Sequence, residues 1–197
     1  MSVIPIAPFP TTVLESEATQ AFERLLQYLG SGRGGQPWCQ WAIDSVRQNR
    51  FLVADGRSLD RRDLTVIVRK LASLFVDHCS QRGDSVRPSQ DAPKSDGHLD
   101  SLTVLLHDSI DLESLDQITH ALRPALLDKG VMAALLHPRS RLTPLSPGPA
   151  GRPYCTQEPF LTFRWAVPQD RLFVAINPDL SARLTRWLAL NSQLRQP

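Results

Sequence analysis

The stretch Gly130-Val131-Met132-Ala133-Ala134-Leu135-Leu136-His137-Pro138-Arg139-Ser140-Arg141 decides how this chain is read. An apolar run bounded by Gly and Pro has the look of a short strand covered on both faces. Pro138 has no N–H to give to a ladder, so regular pairing ends near it. His137 therefore stands at a strand end, where sites are often built, with Arg139 and Arg141 just beyond.

Working outward, Leu102–Leu106 (LTVLL) reads as a second strand, followed by His107-Asp108. Between the two strands, 112–129 has helical spacing, with Leu112, Leu115, Ile118, Leu122 and Leu126 inward and a kink expected at Pro124. Strand, helix, strand predicts a right-handed crossover with parallel strands. LLH at 105–107 and LLH at 135–137 then finish at the same sheet edge. If the strands are adjacent, His107 and His137 face each other across a cleft.

The rest follows the same logic. Residues 1–12 (MSVIPIAPFPTT) form an extended, proline-biased lead-in with no basic start, unlike a signal peptide. From Val13 to Leu29, Leu14, Ala18, Ala21, Phe22, Leu25, Leu26 and Leu29 recur at helical spacing, and Gly30 stops the helix. SGRGGQ at 31–36 is a flexible connector, because it lacks the spacing of a phosphate-binding loop. Trp38, Trp41, Ile43 and Val46 suit a short helix, and Phe51–Ala54 a strand closed by Asp55-Gly56. A helix is expected over 59–79, capped by Ser58 or Asp60. Residues 80–98 lack periodicity and read as a mobile surface loop, and 143–159 as a Pro-rich loop. Phe160–Val167 alternates as a strand, with Phe160, Thr162, Arg164 and Ala166 on one side. Leu172–Ile176 is a further strand or a helical turn. The last amphipathic helix, 179–194, is built on Leu180, Leu184, Trp187, Leu188 and Leu194 and capped by Asp179 or Asn177. The predicted architecture is a single α+β domain over 13–197: a small mixed sheet, amphipathic helices and long Pro-rich loops.

Composition bounds the partners. In 197 residues, 42% are hydrophobic and 21% charged, ordinary values for a water-exposed globular domain. A formal charge of +2 with scattered arginines argues against nucleic acid, and no apolar run approaches the roughly 20 residues of a membrane span. Three cysteines form neither a disulfide framework nor a zinc pattern, so a reducing cytoplasm is expected. The apolar terminal helix is available to a homodimer.

Several residues carry candidate chemistry. His137 suits an axial haem ligand, another metal ligand or a general base, or simply a strand-end histidine bonded to backbone. His107 is the weaker alternative. Cys39, flanked by aromatics in PWCQW, is either inert packing or a thiolate ligand to metal or haem. Arg139, Arg141, Arg152 and Arg164 cluster in sequence around the same edge, where arginines can hold a carboxylate or a haem propionate. Arg164 lies inside a strand and needs a paired partner or an anionic ligand. Trp38, Trp41, Phe163 and Trp165 are available as pocket walls or as core.

Three pieces taken together resemble one family. They are Pro37-Trp38-Cys39-Gln40-Trp41-Ala42, Leu136-His137-Pro138-Arg139-Ser140-Arg141, and Pro159-Phe160-Leu161-Thr162-Phe163 followed by Asp170-Arg171-Leu172-Phe173. Over roughly residues 35–190 they are similar to the YqcI/YcgG-type proteins and related uncharacterised bacterial domains. Members studied as enzymes are haem-dependent N-oxygenases of natural-product pathways, acting on guanidino or amino nitrogens of amino acids. The resemblance implies haem b, His137 as the iron ligand, Cys39 lining the pocket or competing as ligand, and Arg141 holding a propionate or a substrate carboxylate. It implies an oxygenase acting on a small amine or amino acid. The alternative is a non-catalytic haem- or small-ligand-binding protein, or a partner subunit of a biosynthetic cluster.

Overall fold

The computed structural model describes residues 5–31, 39–59, 63–81, 100–139 and 156–193. The expected mobile loop at 80–98 lies almost wholly outside them, as do Trp38, Arg141, Arg152 and Cys155. Five strands alternate with helices in the order β1 (Ala7–Pro8), α1 (Ser16–Gly30), α2 (Gln40–Arg47), β2 (Phe51–Asp55), α3 (Leu64–Gln81), β3 (Ser101–Leu105), α4 (Leu112–Leu127), β4 (Val131–Leu136) and β5 (Phe160–Trp165). A 3₁₀ turn at Pro168–Asp170, the short α5 (Arg171–Val174) and α6 (Pro178–Gln193) complete the chain. This is the expected α+β domain. Among the described residues no helix is long and apolar enough to cross a membrane.

The sheet order is β1-β2-β3-β5-β4. β2 and β3 are parallel, and β5 runs antiparallel to both β3 and β4. β3 and β4 are therefore parallel, as predicted, but they are not neighbours. Phe160 of β5 stands between Leu105 and Leu136, opposite both. His107 and His137 do finish at the same edge, yet a whole strand separates them. With strands about 4.8 Å apart, that puts their backbones roughly 10 Å from each other.

The sheet is covered on both faces, so each strand buries alternate residues in two different cores. Phe51, Val53, Leu105, Leu136 and Phe160 pack under α1 and α2, against Ala18, Phe22 and Leu25. Leu52, Val104, Leu135, Leu161 and Phe163 face the other way, toward α3, α4 and α6. Phe163 and Trp165 belong to this second core, and Trp165 packs against Phe75 with ring centroids 5.1 Å apart. They are interior walls of the fold rather than of a pocket.

Helix caps are short-range choices. α3 starts at Leu64 rather than Leu59, so its cap is Asp63 and not Ser58. The other expected cap, Asp60, lies outside the described residues. The Asp63 carboxylate accepts the N–H of Val66 at 3.0 Å. Asp111 caps α4 by accepting the N–H groups of Glu113 and Ser114 at 3.2 Å. Asn177 caps α6 through the N–H of Leu180. The ambiguous 172–176 segment is helical at its start. Gly130, which joins α4 to β4, has φ +72°, the left-handed region that favours glycine. A Cβ there would lie 1.1 Å from Nε1 of Trp187, so α6 packs directly on its backbone.

Candidate functional site

The strand-end histidines share one local device. In each, ring Nδ1 accepts the backbone N–H two residues on: Ser109 to His107 at 3.1 Å, and Arg139 to His137 at 3.2 Å. Both imidazoles thus imitate the side chain of an Asx-turn and tie off the strand. An acceptor Nδ1 in a neutral ring leaves the proton on Nε2. His107 is exposed. His137 is 9% exposed, just beneath the surface, and faces the α4 side, where the charge of Asp116 acts on it. Burial holds its pKa below the ordinary histidine value; Asp116 opposes this and Arg139 adds to it.

Three other predicted residues meet at the opposite end of the sheet, on the face under α2. The Arg164 guanidinium lies 5.8 Å from the ring centre of Trp41. It donates two hydrogen bonds to Asp170, one of them at 2.9 Å, and a third to the carbonyl of Trp165. Asp170 is fully buried and also accepts the N–H of Val167 at 2.8 Å. The strand arginine therefore has its partner, six residues downstream. Cys39 is half-buried, but its thiol is enclosed closely enough that burial pushes it up, against the pull of the nearby Arg164 charge. It is a protonated thiol at neutral pH.

A concavity with convergent polar groups was not foreseen. A groove of about 810 Å³ opens at the carboxyl ends of β2 and β3, between those ends and α1. Crevices in this position are where open α/β sheets bind ligands. Two ion-pair systems cross it. Arg57 donates to Asp55 at 2.7 and 3.0 Å and to Glu17 at 2.6 Å, with Glu15 at 3.4 Å. Arg24 pairs with Glu158 from the segment before β5. His107 and Asp108 complete the lining. Burial alone would raise the Asp55 carboxyl, but Arg57 outweighs it and holds that carboxyl below its usual range. The Asp55-Gly56 turn was visible in sequence. Arg24 and Glu158 are 134 residues apart, and no local pattern announces such a pair.

The described residues do not assemble one haem pocket. His137 on one face and Arg164, Trp41 and Cys39 on the other lie at opposite ends of the sheet, separated by its thickness. Nδ1 of His137 is already engaged, and iron ligation through Nε2 would require moving the proton and surrendering the Arg139 bond. Among the described residues no group of three or more His, Cys, Asp or Glu is placed to hold a metal ion. No protein-family model, curated protein or solved structure matches the chain.

Proposed function

We propose that this protein binds a small molecule bearing an amine or guanidine in the groove at the carboxyl ends of β2 and β3. The carrying observation is the charge of that groove. Five carboxylates (Glu15, Glu17, Asp55, Asp108 and Glu158) line it against two guanidinium groups, Arg24 and Arg57. Both arginines are already paired, so the surplus is negative. A cation entering between α1 and the strand ends meets exposed Glu15 and Asp108. An anion meets repulsion. The ligand class agrees with the amine or amino-acid substrate that the family resemblance implies.

Calorimetric titration with agmatine and n-butylamine, against butyrate, tests this. Saturable heat is expected for the two cations only, weakening as salt is raised and falling several-fold in a Glu15→Gln/Asp108→Asn variant. Absence of saturable heat for both amines at millimolar concentration sinks the reading. The haem-dependent oxygenase reading rests on the sequence resemblance alone. Its measurement is an absorbance spectrum after haemin is added and excess removed: a Soret band lost in His137→Ala supports it, and a colourless protein rejects it.

A further inference from the structure

The two sides of α6 have different fates. Its apolar stripe, Leu180, Leu184 and Trp187, is buried in the core, so that stripe is not open to a partner. The outer side is the unusual one. Ala175, Pro178, Ala182, Thr185 and Ala189 line a shallow groove of about 640 Å³ along it. Ile176 and Leu190 stand beside its two ends, 96% and 57% exposed, the two most exposed large hydrophobic side chains among the described residues. Between 175 and 190 just two charged side chains are exposed, Asp179 and Arg186. Asp179, Arg186 and Leu190 follow one another at spacings of seven and four, which keeps them on one flank of the groove. Ile176 precedes them in the turn that enters the helix.

We propose that a second copy of this chain docks on this outer side of α6, with the two helices antiparallel about a two-fold axis. The charges and the end residues carry the argument. Along the flank the order is apolar, acidic, basic, apolar, and its reverse is its own complement. An antiparallel pair sets Ile176 of each copy against Leu190 of the other, and Asp179 of each against Arg186 of the other. A parallel pair would bring like charges level with each other. An isologous contact needs this kind of self-complementarity. Arg186 is in no ion pair among the described residues, and Asp179 gives one oxygen to Arg183 of its own helix, at 2.8 Å. The small side chains between let two helix backbones come close, because interaxial distance follows side-chain size at the contact. The exposed charge pairs contribute little affinity and chiefly fix the orientation. One face of a 16-residue helix is a small interface, so the dimer is expected to be weak and reversible.

Sedimentation velocity on the full-length chain tests this. Dimer should grow with concentration across the micromolar range. Leu190→Arg, at a site already exposed and hence harmless to the monomer, should weaken dimerisation by about tenfold or more. Asp179→Lys and Arg186→Glu should each be poorer dimers alone, with the fold checked by thermal melts. Mixed in equal amounts they should dimerise better than either does alone, because the antiparallel heterodimer meets opposite charges at both contacts. A chain that stays monomeric at millimolar concentration overturns the proposal. So does a dimer indifferent to Leu190→Arg, or a mixture of the two folded charge variants that associates no better than its components.

Discussion

The imidazole Nδ1 of His137 accepts the backbone N–H of Arg139 at 3.2 Å, which makes this ring a turn cap at the end of β4. Removing it by His137→Ala should destabilise the fold by about 1 kcal/mol, the usual worth of one such bond. His137→Asn should restore most of that loss, because an amide oxygen can accept the same N–H in an Asx-turn. Chemical denaturation of the two variants checks the pair; equal losses in both would argue against the capping role.

The same residue ties stability to pH. Burial lowers the folded-state pKa of His137 below its unfolded value, for which about 6.5 is typical. The unfolded chain therefore takes up the proton first as pH falls. Stability contributed by the neutral ring is complete above the unfolded pKa and is lost as pH falls through the folded one. Protonation would also abolish the acceptor that holds the Arg139 N–H. Wild type should thus lose stability on acidification from about pH 6.5, and His137→Asn should lose less. The comparison belongs in a His120→Gln background, because burial and Arg123 also lower the pKa of His120, against the opposing charge of Asp116.

Gly130→Ala should be among the most disruptive single substitutions in this chain. It places a side chain at φ +72° and drives Cβ into the Trp187 indole. Left-handed strain and overpacking together suggest a loss of about 3 kcal/mol or more. Trp187→Ala creates the missing space, so the two losses should not add. Full additivity in denaturant melts of the double variant would contradict the proposed packing of α6 on Gly130.

Asp170 is the counter-charge on which Arg164 depends. Asp170→Asn keeps the shape but removes the charge, leaving a guanidinium inside the sheet against Trp41. Breaking one side of a buried pair is expected to lose about 3–5 kcal/mol. Arg164→Met with Asp170→Asn should recover part of this, since no uncompensated charge then remains. If Asp170→Asn melts within a degree or so of wild type, the pair is not structural.

Much of the fold is legible because the period of the apolar residues is local. The β3–α4–β4 unit, the amphipathic stripe of α1 and the two-sided strand at Val131–Leu136 follow from spacing alone. Strand order is a different matter. Phe160, Leu161, Phe163 and Trp165 are all buried, which marks β5 as a strand covered on both faces and therefore central. That signal stood in the sequence, but the clean alternation around Thr162 and Arg164 obscured it. Asp170 was legible in principle, since a charge in a strand demands a partner and the Pro168 turn brings an acid back. The groove was not legible, because its walls come from α1, the β2 and β3 ends, and the segment before β5. Only the folded topology brings Arg24 to Glu158 or Glu17 to Arg57.

Arg57 fastens α1 to the end of β2, and its replacement should be felt more at neutral pH than in acid. Its guanidinium is held by Asp55, Glu17 and Glu15, and those bonds keep it protonated well above its ordinary range. Through them Arg57 keeps the half-buried Asp55 carboxyl below its usual pKa, despite burial pushing the other way. For a carboxyl lowered by folding, the stabilisation is complete above the unfolded value of about 3.9 and is lost as pH falls through the folded one. Arg57→Met should therefore lower stability at neutral pH by about 1.5–3 kcal/mol, the range for hydrogen bonds to charged groups. The deficit relative to wild type should shrink on acidification below about pH 4, as the Asp55 carboxyl protonates and the bonds to Arg57 weaken in wild type. Groove binding should respond differently. Losing Arg57 frees Asp55 and Glu17 and makes the groove more negative, so agmatine should bind more tightly in the variant even as the fold weakens. Weaker agmatine binding in folded Arg57→Met would mean that the guanidinium helps to hold the ligand, contrary to the charge balance proposed for the groove.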